Sequence, residues 1–343
     1  MYNLRIGMAS KFHEVILLAL SDPQRPLDRS LLSTQGAFLW WYLDLVSELG
    51  QGLTLIWSWG LPFLGRRTSR PSINLALYSN CTCQMYLLEE LNEAVWGDGV
   101  WTFGRTRIVE TVQDGERRLH VDVDLDVPGS SIPLTGHIDA RDPLLRGEDE
   151  PGDHKWTPLM GLGTGSAALR FGDWSVALDG EAYRDRNEGR VPLDSMGIER
   201  WSWGRVSVGG QLFIWYDVDA ERRLYRVEDR LVPIDSAVEE LDPRRDLYGV
   251  VWHGRLRFVE LGLEVEQLPP VDRGPFYLRL PVRATLDGET GVGWSEVVLP
   301  RKLHRPLHQP FVDMRVRRPS GNSAFLPLFS GPRQGRLRRL VGA

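Results

Sequence analysis

Phe38-Leu-Trp-Trp-Tyr-Leu-Asp-Leu-Val46 and Gly52-Leu-Thr-Leu-Ile-Trp-Ser-Trp59 read as two consecutive strands, with residues 48–51 turning the chain between them. The next run, Ser72-Ile-Asn-Leu-Ala-Leu-Tyr78, alternates with period two and places Ile73, Leu75 and Leu77 on one face. Short strands are predicted around 100–110, 118–127, 166–171 and 174–183. A second series starts at Trp201 and covers 203–208, 211–218, 222–226, 230–233, 248–260, 276–285 and 292–298. Turns rich in Gly, Pro and Asp separate most of these runs, the signature of antiparallel sandwiches or barrels rather than alternating βα units. One longer helical stretch, Met85 to Val95, stands isolated, and Phe12 to Ala19 reads as a short helix. A chain of 343 residues exceeds one compact domain. The Gly-, Pro- and charge-rich stretch Asn187 to Arg200 marks the boundary, giving lobes 1–195 and 196–343.

Composition excludes several function classes. A net charge of −5 leaves no global nucleic-acid footprint. Thirteen Trp beside 35 Gly and 22 Pro suit a β-rich chain with aromatic-lined interior space. Cys81 and Cys83 are too close for an unstrained disulfide and lack a second pair for zinc, so both read as reduced thiols. No signal peptide is evident, and the apolar region Ala37 to Gly65 carries Asp44 and Glu48, which disqualifies it as a transmembrane helix. The expectation is a cytoplasmic protein. The last 43 residues hold ten Arg or Lys against one Asp. Because Phe325-Leu-Pro-Leu-Phe is too apolar for a solvated tail, a docked segment with a basic rim is expected. Such a rim offers peripheral contact with an anionic membrane.

Familiar motifs fail on context. Gly161-Leu-Gly-Thr-Gly follows Pro158 and leads into strand-like sequence, not a helix, so it is no dinucleotide loop. Neither a phosphate-cradling Gly-x-x-x-x-Gly-Lys nor a Gly-x-Ser-x-Gly elbow occurs. His120, Asp122, Asp124 and Asp126 share one strand face, but the pattern reads as an amphipathic strand with Val121, Val123, Leu125 and Val127 inward. No cofactor is expected.

Chemistry concentrates in two short motifs, His154-Lys-Trp156 and Tyr183-Arg-Asp185-Arg-Asn187, followed by Trp201-Ser-Trp203. In extended segments i and i+2 share a face, so two adjacent strands would aim His154, Trp156, Tyr183 and Asp185 into one pocket. Six blocks occur in order: Trp41-Tyr-Leu-Asp44, Gly52-Leu-Thr-Leu-Ile, Asn74-Leu-Ala-Leu-Tyr78, His154-Lys-Trp156-x-Pro, Tyr183-x-Asp185-x-Asn187-x-Gly189 and Trp201-x-Trp203. Together they resemble the carotenoid 1,2-hydratase (hydroxyneurosporene synthase) family, which is related to lipocalin-like Diels–Alderases. The resemblance implies an all-β fold of two consecutive lipocalin-like antiparallel barrel or sandwich domains, the first carrying the active site. It implies cofactor-free hydration of a carotenoid end group, with His154, Trp156, Tyr183 and Asp185 as the catalytic set. Trp203, Trp201, Trp41 and Asn74 are the expected substrate-binding residues. Two departures stand out: Arg184 and Arg186 flank Asp185, though alternation points them away, and residues 1–30 match no block.

The chemistry asks for these residue types. Adding water to an isolated alkene requires protonating carbon, hence a strong acid in a dry site. A buried carboxyl among aromatics keeps its proton at neutral pH, and Asp185 is that acid. Faces of Trp156 and Tyr183 would stabilise the carbocation. His154 would orient Asp185 or a water and take the proton the water loses. The same pocket suits a cyclase or pericyclase of the Diels–Alderase type, or a lipid carrier that performs no chemistry. In each case the partner is an apolar isoprenoid or polyene.

Overall fold

The computed structural model describes residues 35–60, 70–79, 82–97, 99–143, 145, 154–219, 221–319 and 326–330. The helix expected at Phe12 to Ala19, Cys81 and Phe325 lie outside them. Eleven strands lead the chain: β1 (Phe38–Val46), β2 (Gly52–Trp59), β3 (Pro71–Ser79), β4 (Thr82–Glu90), β5 (Ala94–Gly97), β6 (Val100–Phe103), β7 (Thr106–Gln113), β8 (Glu116–Leu125), β9 (Leu134–Pro143), β10 (His154–Phe171) and β11 (Trp174–Gly189). After a short turn come β12 (Trp201–Val208), β13 (Gln211–Val218), β14 (Glu221–Val227), β15 (Leu231–Ile234), β16 (Val238–Arg245), β17 (Val251–Phe258), β18 (Leu263–Gln267), β19 (Asp272–Gly274), β20 (Tyr277–Leu286) and β21 (Glu289–Val298). Helix α1 (Gln309–Asp313) and strand β22 (Val316–Arg317) follow.

The strands form two curled sheets, the lipocalin-like pair expected from the sequence. The first runs β22-β4-β3-β2-β1-β11-β10-β9-β8-β7-β6-β5, and the second β15-β14-β13-β12-β21-β20-β18-β17-β16. Hairpins dominate because neighbours in sequence are joined by tight turns. At Gly209-Gly210, for example, both residues have positive φ (59° and 72°), the geometry of a two-residue hairpin that matches strand twist. The chain end returns to the first sheet, where β22 pairs in parallel with β4.

Period-two alternation decides what each face packs. In β1, Leu39, Trp41, Leu43 and Leu45 fill the hollow of the first sheet with Leu53, Leu55, Trp57, Ile73, Leu75 and Leu77. The second sheet encloses its own core around Val206, Phe213, Trp215, Phe258 and Val282. A third cluster lies between the sheets. It joins Phe38, Trp40, Tyr42, Tyr78, Trp156 and Tyr183 of the first to Trp201, Trp203, Ile214, Tyr216 and Trp294 of the second. The sheets approach closely: a Cβ on Gly52 would stand 2.1 Å from the Trp294 ring, so only glycine fits there.

Two sequence expectations change. Met85 to Val95 is not a helix; β4 ends at Glu90 and β5 begins at Ala94. Its helix-forming residues yield to tertiary pairing, because Met85 and Leu87 alternate inward while β4 bonds to β3. The 166–171 and 174–183 strands are longer than expected, since β10 begins at His154 and β11 ends at Gly189. The Gly161–Gly165 stretch lies inside β10, at register shifts between Pro158 and Gly163. The His120 strand is amphipathic as read, with Val121, Val123, Leu125 and Val127 buried and His120 and Asp122 exposed.

Candidate active site

Strand register assembles the site. β10 and β11 pair so that Trp156 faces Asn187 and Pro158 faces Asp185, while β1 sets Tyr42 beside Asp185 and Trp40 beside Asn187. Alternation along β11 turns Tyr183, Asp185 and Asn187 to the same side. Three donors converge on the Asp185 carboxyl. Trp156 Nε1 and Tyr183 OH donate to Oδ2 at 2.9 and 3.0 Å, and Asn187 Nδ2 donates to Oδ1 at 2.9 Å.

His154 Nε2 lies 3.0 Å from Asn187 Oδ1, and Tyr216 OH lies 2.8 Å from His154 Nδ1. Since Asn187 gives its N–H to Asp185, its Oδ1 must accept from His154 Nε2–H. His154 Nδ1 then accepts from the Tyr216 hydroxyl. In the neutral imidazole one directed chain, Tyr216 to His154 to Asn187 to Asp185, selects the Nε2–H tautomer. Tyr216 belongs to β13, so the second sheet anchors a chain that ends on the first.

Asp185 is 4% exposed, and burial raises its pKa from 3.8 to about 7. The Trp156 and Tyr183 hydrogen bonds oppose that rise, while the negative charges of Glu296 and Asp44 reinforce it. Arg184 turns away from it. It points into the first sheet's hollow as alternation predicts, pairing with Glu110 and lying over the Trp57 and Trp101 rings. Tyr183 keeps its proton, because burial and the neighbouring Asp185 push its pKa well above the phenolic range.

A cavity of about 140 Å³ opens between the sheets, and Asp185, Trp156, Asn187, Trp203, Trp201 and Asn74 line it. Asn74 is tethered through Nδ2 to the Leu87 carbonyl at 2.8 Å. Two expected site residues stand behind the wall. Tyr183 reaches the site through its hydrogen bond to Asp185, and its ring packs 5.4 Å from Trp203. His154 reaches Asp185 only through Asn187, with Trp201 against its ring at 5.0 Å. Trp41 is a correction. It packs in the first sheet's core against Trp57, Trp59, Trp96 and Trp101, because odd residues of β1 face away from the cavity. Its neighbours Trp40 and Tyr42 line the cavity instead.

Sequence reasoning also missed a second polar group on the opposite wall. Arg279 of β20 pairs with Glu296 of β21, donates to Tyr42 OH at 2.9 Å and to Tyr277 OH at 3.0 Å. Tyr42 in turn donates to Asp44 at 2.7 Å, and Asp44 forms a buried ion pair with Arg205 across the sheets. Two cations and two anions balance there, so the cavity carries no excess charge from this group. Tyr42 and Asn187 were findable from the i, i+2 rule; Arg279 and Glu296 have no local signal.

Trp201, Trp203, Arg279 and Glu296, which also line the cavity, come from the second sheet. Comparison with known proteins agrees with the fold. The chain superposes on the AttH protein of Nitrosomonas europaea with a TM-score of 0.57 at 16% identity, covering 81% of this chain and 98% of that one. It superposes on CghA bound to Sch210972 with a TM-score of 0.51 at 16% identity, covering 77% and 89%. In sequence it is 29% identical over 302 residues to the acyclic carotenoid 1,2-hydratase of Rubrivivax gelatinosus, covering 79% of this chain and 71% of that relative. The profile described as carotenoid hydratase CrtC matches residues 111–324, a span that contains His154, Trp156, Tyr183 and Asp185, and the chain belongs to that family.

Proposed function

We propose that the protein adds water to a C=C bond in the end group of a carotenoid or other isoprenoid, with Asp185 as the proton donor and without a cofactor. The observation that carries this reading is a buried carboxyl, neutral up to about pH 7, facing an aromatic-lined cavity. Oδ2 already accepts two hydrogen bonds and Oδ1 accepts one, so Oδ1 has room to carry the acidic proton.

Asp185 gives that proton to the less substituted alkene carbon, leaving a tertiary cation on its neighbour. The faces of Trp156 and Trp203 stabilise the cation, at up to ~2 kcal/mol or more each when desolvated. Water adds to the cation, and the proton it loses returns to the Asp185 carboxylate, so the acid is regenerated. Tyr183 and His154 are positioning residues in this reading: Tyr183 holds Oδ2, and His154 holds Asn187. The cavity is close in size to one that holds a benzene ring, roughly 150 Å³. It suits the end of a polyene rather than its length. The two lobes, 1–195 and 196–343, share the site. A lipid-soluble substrate also supports supply from an anionic membrane through the basic C-terminal segment.

Incubation with acyclic carotenoids and shorter isoprenoids in doubly labelled water (deuterium and heavy oxygen) tests the reading. Label at both carbon and oxygen, lost in Asp185→Asn, is the expected result. Isomerised product without oxygen uptake would instead support a cyclase, and unchanged ligand a carrier.

A further inference from the structure

The cavity has a deep end and a rim. Asp185, Trp156 and Asn187 are fully buried, whereas Tyr248, Arg273, Phe311 and Arg315 line the cavity half-exposed. The rim is thus formed where the β16–β17 turn, the β19–β20 hairpin and helix α1 converge, and the Tyr248 and Phe311 rings meet there at 5.7 Å.

Leu247, 81% exposed, directly precedes Tyr248 in the chain, and Leu307, 84% exposed, stands four residues before Phe311. Single exposed leucines are ordinary on a surface, as Leu49 is in the β1–β2 turn. Two on segments whose aromatics line an apolar cavity and meet at its rim are a different arrangement. Their surroundings are basic. Pro300-Arg-Lys-Leu-His-Arg-Pro-Leu-His308 contains Arg301, Lys302 and Arg305 and no acid, and Arg244 and Arg245 precede Leu247. Glu199 pairs with Arg301, and Asp246 is committed to its own turn through the Tyr248 and Val250 amides.

We propose that this rim is a membrane-docking surface, in which Leu247 and Leu307 enter an anionic lipid interface while Lys302, Arg305, Arg244 and Arg245 face the headgroups. Docked this way, the cavity opens directly onto the bilayer, so an apolar chain passes to Asp185 without crossing water. The proposal rests on the hydratase reading for the nature of the substrate, and its surface stands on the exposed leucines and basic flank.

The test is co-flotation of the full chain with vesicles of equimolar phosphatidylcholine and phosphatidylglycerol, against vesicles of phosphatidylcholine alone. Binding to the mixed vesicles is expected, with a Leu247→Ser/Leu307→Ser variant binding at least about tenfold more weakly. Circular dichroism and melting of this variant should match the parent. Its hydration of a detergent-dispersed isoprenoid should be unchanged, since neither leucine lines the cavity. Absence of flotation, or equal flotation of the double variant, overturns the proposal. Flotation sensitive to both leucines in a protein that hydrates nothing upholds the docking surface and overturns the hydratase reading.

Discussion

Asp185→Asn separates the chemistry of the acid from its shape. The unfolded carboxyl ionises near 3.8 and the folded one near 7. Between those pH values the native state holds a proton that the unfolded state has released, so stability falls as pH rises. At about 1.4 kcal/mol per decade, the folded protein loses on the order of 4 kcal/mol across that window and nothing further above it. The asparagine variant cannot ionise and should lack this loss. Its Oδ1 can still accept from Trp156 and Tyr183, but its amide would oppose the Asn187 amide. Asn187 must then flip, His154 must move its proton to Nδ1, and the whole donor chain reverses. Urea unfolding of both proteins from pH about 4 to about 8 should show the stability difference shifting in the variant's favour as pH rises. Nitrogen NMR of His154 should report the tautomer change. Hydration should fall by at least ~10²-fold, the lower end for general acid catalysis. Stability curves that stay parallel across the window, or hydration within threefold of the parent, would refute the reasoning.

Removing one donor to Asp185 should raise its pKa, as the negative charges of Glu296 and Asp44 do. Trp156→Phe deletes a hydrogen bond that favours the carboxylate, so the alkaline limb of kcat/KM, expected near pH 7, should shift upward; a limb that stays or moves down contradicts the assignment. Asn187→Leu cuts His154 and Tyr216 off from the acid and leaves buried groups unpaired. It should lower kcat with little change in KM and cost about 1–3 kcal/mol in urea unfolding. Asp44→Ala takes from buried Arg205 its hydrogen-bonded partner, leaving only Glu181 at 3.7 Å, and should cost about 3–5 kcal/mol, whereas Asp44→Leu/Arg205→Leu should recover much of that loss. Equal instability of the single and double variants would show that the ion pair is not what the single change breaks.

How much of this was legible depends on the distance over which each signal acts. Strand alternation is local, so the β character of 38–59 and 201–218 could be read from side-chain period alone. The same rule, applied one residue further, assigns Trp40 and Tyr42 to one face and Trp41 to the other, but not which face meets the cavity. That choice is made by the second sheet, which covers the even face of β1 with Trp201, Trp203 and Tyr216. Met85 to Val95 misled for the opposite reason: local propensity favours a helix, and pairing with β3 overrides it. Asp185 was findable because its partners sit in two short motifs on adjacent strands. Arg279 and Glu296 were not, because they lie about a hundred residues away in unremarkable strand sequence and acquire meaning only where the sheets meet.

That meeting explains how a carboxyl of this kind keeps its proton near neutral pH. The donors that orient Asp185 come from β10 and β11, and left alone on one curled sheet they would face water. A hydrated carboxyl with three donors ionises readily, since each donor favours the charged form. What reverses the balance is burial beneath the second sheet, together with the negative charges of Glu296 and Asp44. The first sheet therefore supplies direction and the second supplies acidity at neutral pH. The His154–Tyr216 hydrogen bond ties the two contributions together, because it fixes the orienting chain only when the sheets are in contact. A change that spreads the sheets should thus lower the Asp185 pKa and loosen its aim at once.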